Sequence, residues 1–135
     1  MLKELIFSTK ERYQLIDITR EIEEIVEESR IIEGLVLVFV PHSTAGIVLT
    51  ENEEGLKRDW LKIFEKLTSG IDFAHNKIDD NADSHILSGL IGQGRVLPIK
   101  GGKMIRGTWQ EIFLAEFDGP RRRRVIVEII GRGER

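Results

Sequence analysis

The chain has 135 residues, 41% hydrophobic and 32% charged, with a formal net charge of −3 and no cysteine. That length suits one core rather than two, so residues 1–135 are expected to form a single domain. The slightly acidic balance argues against a nucleic-acid surface, and the missing cysteines exclude disulfides and thiolate chemistry.

Any metal must therefore be held by His, Asp, Glu or water. The longest apolar run, Leu35 to Pro41, is far too short to span a bilayer. The N-terminal stretch lacks the apolar core and cleavage site of a signal peptide, so no membrane association and a cytoplasmic location are expected. Many Glu, Lys and Arg beside few Asn, Gln and Met give a thermophile-like composition.

In chain order, Leu2 to Ser8 and Tyr13 to Ile18 each alternate apolar and polar residues around the polar corner Thr9-Lys10-Glu11-Arg12. Period two on both sides of such a corner predicts a β-hairpin. Thr19 then caps a helix whose inward face is Ile18, Ile22, Ile25, Val26 and Ser29, with Gly34 as its stop. Leu35 to Val40 is continuously apolar and β-branched, the mark of a central strand buried on both faces. Pro41 ends it and leaves His42 at its mouth among small residues. Ile47-Val48-Leu49 resumes extended structure.

Thr50-x-x-Glu53 reads as a capping box. The helix it opens is expected to bury Leu56, Trp60, Ile63, Phe64 and Leu67, with Gly70 as its stop. Ile71 to Asp80 is aperiodic and polar, hence a loop. Asp80 or Asn81 caps a short helix with Ala82, Ile86, Leu87 and Leu90 inward and Gly92 as its stop. Val96 to Ile99, Lys103 to Arg106, Glu111 to Phe117 and Val125 to Ile130 follow as strands. The glycine turns between them predict consecutive antiparallel pairing.

The chemistry concentrates between Ile71 and Gln110, which holds His75 and His85, four aspartates and two asparagines. His42, His75 and His85 together match a three-ligand metal site with an open position, and zinc or another divalent ion is the cofactor to expect. None belongs to an H-x-x-x-H pair, so the alternative of capping, surface and packed histidines stays open. Asp79, Asp80 and Asp83 lack the order of a calcium loop. Lys100 and Arg106 lie near glycine turns, where cations and backbone amides can hold a phosphate. Arg121 to Arg124 begins a strand, so alternation sends its side chains to opposite faces rather than to one nucleic-acid groove. Trp109 and Gln110 are candidates for stacking and hydrogen bonding beside the histidines.

Taken together, His42-Ser43-Thr44-Ala45, Glu51-Asn52-Glu53, Asp59, His75, Ser84-His85-Ile86, Leu97-Pro98-Ile99, Gly107-Thr108-Trp109-Gln110 and Glu116-x-Asp118-Gly119-Pro120-Arg121 form a recognisable order. It resembles the YjbQ family, also called UPF0047, over nearly the whole chain. The resemblance implies an α+β fold with an antiparallel, β-sandwich-like core and about three flanking helices, assembled as a homotrimer. It also implies a weak, secondary thiamine-phosphate synthase activity.

The motif positions carried over are His42, Glu51, Asn52, Asp59, His75, His85, Gln110 and Glu116. Candidate catalytic residues are then His42, His85, Glu51, Asp59, Gln110 and Glu116. Candidate ligand contacts are Ser43, Thr44, Asn52, Lys100, Arg106 and Trp109, with His42, His75 and His85 as metal ligands. The leading expectation is an enzyme acting on a small phosphorylated metabolite at a histidine-rich, anion-accepting pocket. The alternative is a non-catalytic module that binds a metal or phosphometabolite there.

Overall fold

Period-two segments that bury one face must pair into sheets, and here they sort into two antiparallel sheets stacked around a shared core. The computed structural model describes residues 1–134. Its elements run β1 (Leu2–Ser8), β2 (Gln14–Asp17), α1 (Thr19–Ser29), β3 (Ile31–Phe39), β4 (Ala45–Thr50) and α2 (Glu54–Thr68). A 3-10 turn (Ala74–Lys77) leads to α3 (Ala82–Ile91), β5 (Gly94–Lys100), β6 (Lys103–Met104), β7 (Glu111–Glu116) and β8 (Arg122–Glu134). The large sheet has the order β1-β8-β3-β5-β6 and the small one β2-β7-β4. The fold is α+β, as the resemblance implied.

Between the sheets lie Val36, Val38, Val40, Leu97, Val125 and Val127 from the large sheet and Ile47, Ile112 and Leu114 from the small one. Ile18, just before α1, and the α1 residues Ile22, Ile25 and Val26 close this core. Helices α2 and α3 cover the other face of the small sheet through Phe64, Leu87, Phe113 and Phe117. The ring of Phe64 meets that of Phe117 edge-on at 5.0 Å, a favoured aromatic geometry.

Several local expectations are corrected. The first two strands form no hairpin, because β1 pairs with β8 and β2 with β7. The corner between them crosses from sheet to sheet. Its amides are held by Gln14 Oε1, which accepts from Lys10 and Glu11, and by the Arg121 carbonyl, which accepts from Thr9. Likewise β5 and β6 pair as neighbours, but β7 leaves for the small sheet and β8 returns to the large one.

Asp17, not Thr19, satisfies the start of α1, its Oδ1 accepting from the Thr19 N–H at 2.9 Å. Thr19 Oγ1 instead accepts from the Ile112 N–H. The helix ends at Arg30, whose left-handed φ of 62° closes it. Gly34 is not its stop but lies inside β3. A Cβ there would meet the Ile130 carbonyl oxygen at 2.0 Å, so glycine lets β3 and β8 approach. Glu53, rather than a Thr50 capping box, caps α2 by accepting from Gly55 and Leu56. Thr50 Oγ1 accepts from Trp60 Nε1.

Ile63 and Leu67 lie on the exposed side of α2, while Thr68 is buried. In α3 the inward face is rotated from the expected one. Ser84 and Ser88 are buried, and Leu90 is 67% exposed. The two hydroxyls donate to the carbonyls of Phe117 and Ala45, so α3 is docked by hydrogen bonds that an apolar face lacks. The central run is also buried on one face only. Val36, Val38 and Val40 point inward, while Leu35 and Phe39 lie exposed on the outer face of the large sheet.

Within this apolar interior sits one charged pair. Glu116, fully buried at the end of β7, receives the guanidinium of Arg123 from β8. The carboxylate also accepts from Thr9 Oγ1 at 2.7 Å and from the amides of Phe117 and Asp118, each at 3.0 Å. Arg123 Nη2 donates further to the carbonyl and hydroxyl of Thr44. Buried charges survive only when paired and hydrogen-bonded in this way.

Urea unfolding of Arg123→Met should show a loss of about 3–5 kcal/mol, the cost of leaving one buried charge unpaired. Replacing both partners, as in Glu116→Leu with Arg123→Met, should not restore stability. The Asp118 amide would then lose its acceptor, at about 1–3 kcal/mol. The Thr9 hydroxyl and the Phe117 amide would keep only their bonds to the Arg121 and Thr44 carbonyls. A double variant as stable as the wild type would mean that the pair anchors nothing. Gly34→Ala should cost about 3 kcal/mol, the upper end for overpacking, since backbone atoms on both strands must move.

Candidate functional site

The Glu116–Arg123 pair places the surrounding polar groups. Beyond Glu116 the chain turns through Asp118 and Gly119, where a Cβ would meet the Glu11 carbonyl oxygen at 2.2 Å. Asp118 is fixed in this turn and accepts from Arg121 Nη2 at 3.0 Å and from Asn81 Nδ2 at 2.9 Å. Asn81, at the start of α3, turns its Oδ1 to His75 Nε2 at 3.0 Å.

The direction of these bonds is determined by chemistry. A carboxylate only accepts, so the Asn81 amide nitrogen must face Asp118 and its oxygen must face His75. His75 Nε2 therefore carries a proton, and in the neutral ring Nδ1 keeps the lone pair. His85, one turn into α3, packs its ring edge-on against His75 with centroids 5.0 Å apart. His75 is exposed and His85 half-buried.

His42 is placed differently. Its Nε2 accepts the backbone N–H of Arg124 at 3.0 Å. Burial holds this imidazole below its ordinary pKa. The positive charges of Arg123 and Arg124 add to that effect, while Glu116 opposes it. The structure thus brings His75 and His85 together and ties His42 to β8. Among the described residues, no group of three or more His, Asp and Glu side chains is arranged to hold a metal.

Nearby, Arg12 Nη2 bonds Asp83 at 2.8 Å and the Tyr13 hydroxyl donates to the same carboxylate. Burial, followed by the bond to Asp83, raises the Tyr13 pKa. A cleft of about 290 Å³ opens here, bordered by Arg12, Tyr13, Phe73, Asn76 and Asp83.

The remaining motif residues lie elsewhere. Thr44 is buried beneath Arg123, and Ser43 beside it is exposed. Strands β4 and β7 run antiparallel with Ala45 opposite Glu116 and Thr50 opposite Glu111. Glu51, Asn52, Trp109 and Gln110 therefore sit at the other end of the small sheet, about 17 Å away at the rise of an extended strand.

There Asn52 Nδ2 donates to Asp17, and Gln110 Oε1 accepts from the Gly107 N–H at 2.7 Å. Trp109 is 71% exposed. Arg106 donates to the Gln110 carbonyl at 2.7 Å and reaches Glu23 at 3.4 Å. It borders a groove of about 770 Å³ with Glu23, Glu27, Lys103 and Thr108. Lys100 is opposite Glu33 at the end of β5, whereas Gly94 is opposite Phe39, near His42. That is about 20 Å along the strand. Asp59 is on the exposed face of α2. The motif residues thus divide between two poles of the chain.

Sequence reasoning assigned no site role to Arg123 or Thr9, nor to Asn81, read as a helix cap, or Asp118 and Arg121, present only as motif residues. The signal for Arg123 lay in the alternation of side chains along Arg121 to Arg124. If alternate side chains face opposite ways, one or two of four arginines at a strand start must face the core and need a carboxylate there.

The comparisons agree with this fold and motif order. Residues 3–132 match the family model described as UPF0047 protein YjbQ-like. A UPF0047 protein of Archaeoglobus fulgidus is 45% identical, covering 94% of this chain and 99% of its own. The UPF0047 protein YugU of Bacillus subtilis is 36% identical, with coverages of 97% and 100%. The crystal structure of a YbjQ-like protein of unknown function from Sulfolobus solfataricus superposes with a TM-score of 0.96. It is 46% identical, with coverages of 98% and 97%. Matching in sequence and in fold from the first strand to the last, the chain belongs to the YjbQ (UPF0047) family.

Proposed function

We propose that this chain is a cytoplasmic homotrimer that binds a small phosphorylated metabolite and moves a proton on it at the His75–His85 pair. One observation carries the reading, the ordered series Arg121, Asp118, Asn81 and His75. Such a series fixes the ring orientation and tautomer of His75 and leaves Nδ1 as a base, while His85 stands beside it as the second proton carrier. Arg12 and Arg121, both about half exposed, supply positive charge for an anionic substrate.

Assembly is supported by the outer face of the large sheet. Leu35, Phe39, Val96 and Ile130 are exposed there, and β3, β5 and β8 place them on one surface. Glu128, in the same face, has a buried carboxylate oxygen without a hydrogen-bond partner. An apolar surface with an unsatisfied acceptor suits a protein partner that brings a donor. A closed ring of three copies covers such faces without leaving one open. It also brings the two poles of neighbouring subunits together, so that Lys100, Arg106, Trp109 and Gln110 of one copy complete the site of the next.

A second reading, zinc or another divalent metal held by His75, His85 and a group from the neighbour, is favoured by the adjacent imidazoles. No helix among the described residues is long and apolar enough to cross a membrane.

Light scattering at micromolar concentration should give about three times 15.5 kDa, and Ile130→Asp should give a monomer. A monomeric wild type would contradict the assembly. For the site, His75→Ala and His85→Ala should each abolish turnover of phosphorylated thiamine precursors and phosphate-dependent thermal stabilisation. Wild-type behaviour in both variants would overturn the reading. The metal reading predicts one zinc per chain near neutral pH, bound more weakly as protons compete for the imidazoles. Absence of stoichiometric zinc would eliminate it.

A further inference from the structure

His42 faces the opposite way, chemically, from His75. A backbone N–H can only donate, so the bond from Arg124 consumes the Nε2 lone pair of His42. In the neutral ring the proton must then sit on Nδ1. Among the described residues, the buried side-chain polar atoms without partners are one oxygen each of Glu21 and Glu128. The Nδ1–H of His42, which bonds no protein group, is therefore open to solvent.

We propose that His42 is a neutral hydrogen-bond donor of fixed direction, presenting Nδ1–H to an anionic oxygen of the bound metabolite, and that it is neither a metal ligand nor a general base. For the ligand this rests on the anion-accepting reading above. For the donor it rests on backbone geometry alone.

Three features support it. Metal ligation needs a free lone pair, which neither ring nitrogen has. Moving the proton to Nε2 would set it against the Arg124 N–H and leave that amide without an acceptor. Arg121, Arg123 and Arg124 act on the ring against Glu116 and disfavour its protonation, and their own partners are Asp118, Glu116 and Glu4. Finally, His42 follows the end of β3, and its acceptor bond reaches β8 beside the Glu116–Arg123 pair. The donor is thereby held by rigid elements, as selective recognition of an oxygen requires.

The test is multiple-bond proton–nitrogen NMR of the labelled protein at about pH 7.5, where neutral imidazole tautomers are distinguishable. Only three histidines need assignment, and His42→Gln identifies the signal of interest. The expected result is an Nδ1–H tautomer for His42, with its Nδ1 proton shifting on addition of inorganic phosphate. Zinc should leave the His42 signals in place.

His42→Asn sets an amide near the Nδ1 position and should keep most phosphate affinity. His42→Gln sets its amide near Nε2 and should lose about tenfold or more, the scale of one hydrogen bond to a charged acceptor. An Nε2–H tautomer, a phosphate-insensitive Nδ1 proton, or zinc-dependent shifts at His42 would each overturn the proposal. Failure at His75 and His85 with the His42 results intact would instead overturn the proton-transfer reading.

Discussion

The ion pair between Glu116 and Arg123 is the fixed point of this fold. It joins the end of β7 in the small sheet to β8 in the large one, and through Thr9 and Thr44 it reaches the β1 corner and the start of β4. Two full charges inside an apolar core stabilise little by themselves, because desolvation cancels most of their attraction. What they contribute is a specified geometry. Around the pair stand the Thr9 hydroxyl, the amides of Phe117 and Asp118, and the carbonyl and hydroxyl of Thr44. A slip of one strand by one residue would leave several of them unmet.

Two opposed imidazoles descend from that point. On one side the Glu116 carboxylate fixes the amide of Asp118, and the Asp118 side chain orders Asn81 and then His75. On the other side Arg124, the residue after Arg123, gives its N–H to His42. Electrostatic preorganisation of this kind does not need large charges at the surface. It needs dipoles whose directions are decided before the ligand arrives. The outer face of the large sheet, where Leu35, Phe39, Val96 and Ile130 are exposed, lies apart from this polar series.

Much of the fold was legible from alternation and apolar periodicity. The inward face of α1 followed from Ile22, Ile25 and Val26, and the central position of β3 from the apolar run Leu35 to Val40, although only its valines at 36, 38 and 40 are buried. What failed was any inference that assumed neighbours in sequence are neighbours in space. The corner at Thr9 to Arg12 looks like a hairpin turn locally, but β1 gains a longer partner in β8. Gly34 looks like a helix stop, but its lack of a side chain is used by a strand crossing. The α3 face was misjudged because hydrophobicity ranks Leu90 above Ser84 and Ser88, although the serines find carbonyls to bond.

For the site, residue types were readable and their grouping was not. His75 and His85 lie ten residues apart, and the turn between them brings their rings together. His42 shares their end of the molecule but is tied to β8. The second pole, with Gln110 and Lys100, was assigned to the same pocket because motif membership carries no distance. Strand register supplies that distance, and it is fixed only by long-range pairing of β3 with β5 and β4 with β7.

Native-state hydrogen exchange at the amides of Phe117, Asp118 and Arg124 tests the anchoring role of the Glu116–Arg123 pair most directly. If the pair is the fixed point, all three should exchange only through global unfolding, and Glu116→Gln should release them together while the β3 core stays protected. Exchange of these amides at the rate of exposed loops in the wild type would contradict the account, as would unchanged protection in Glu116→Gln.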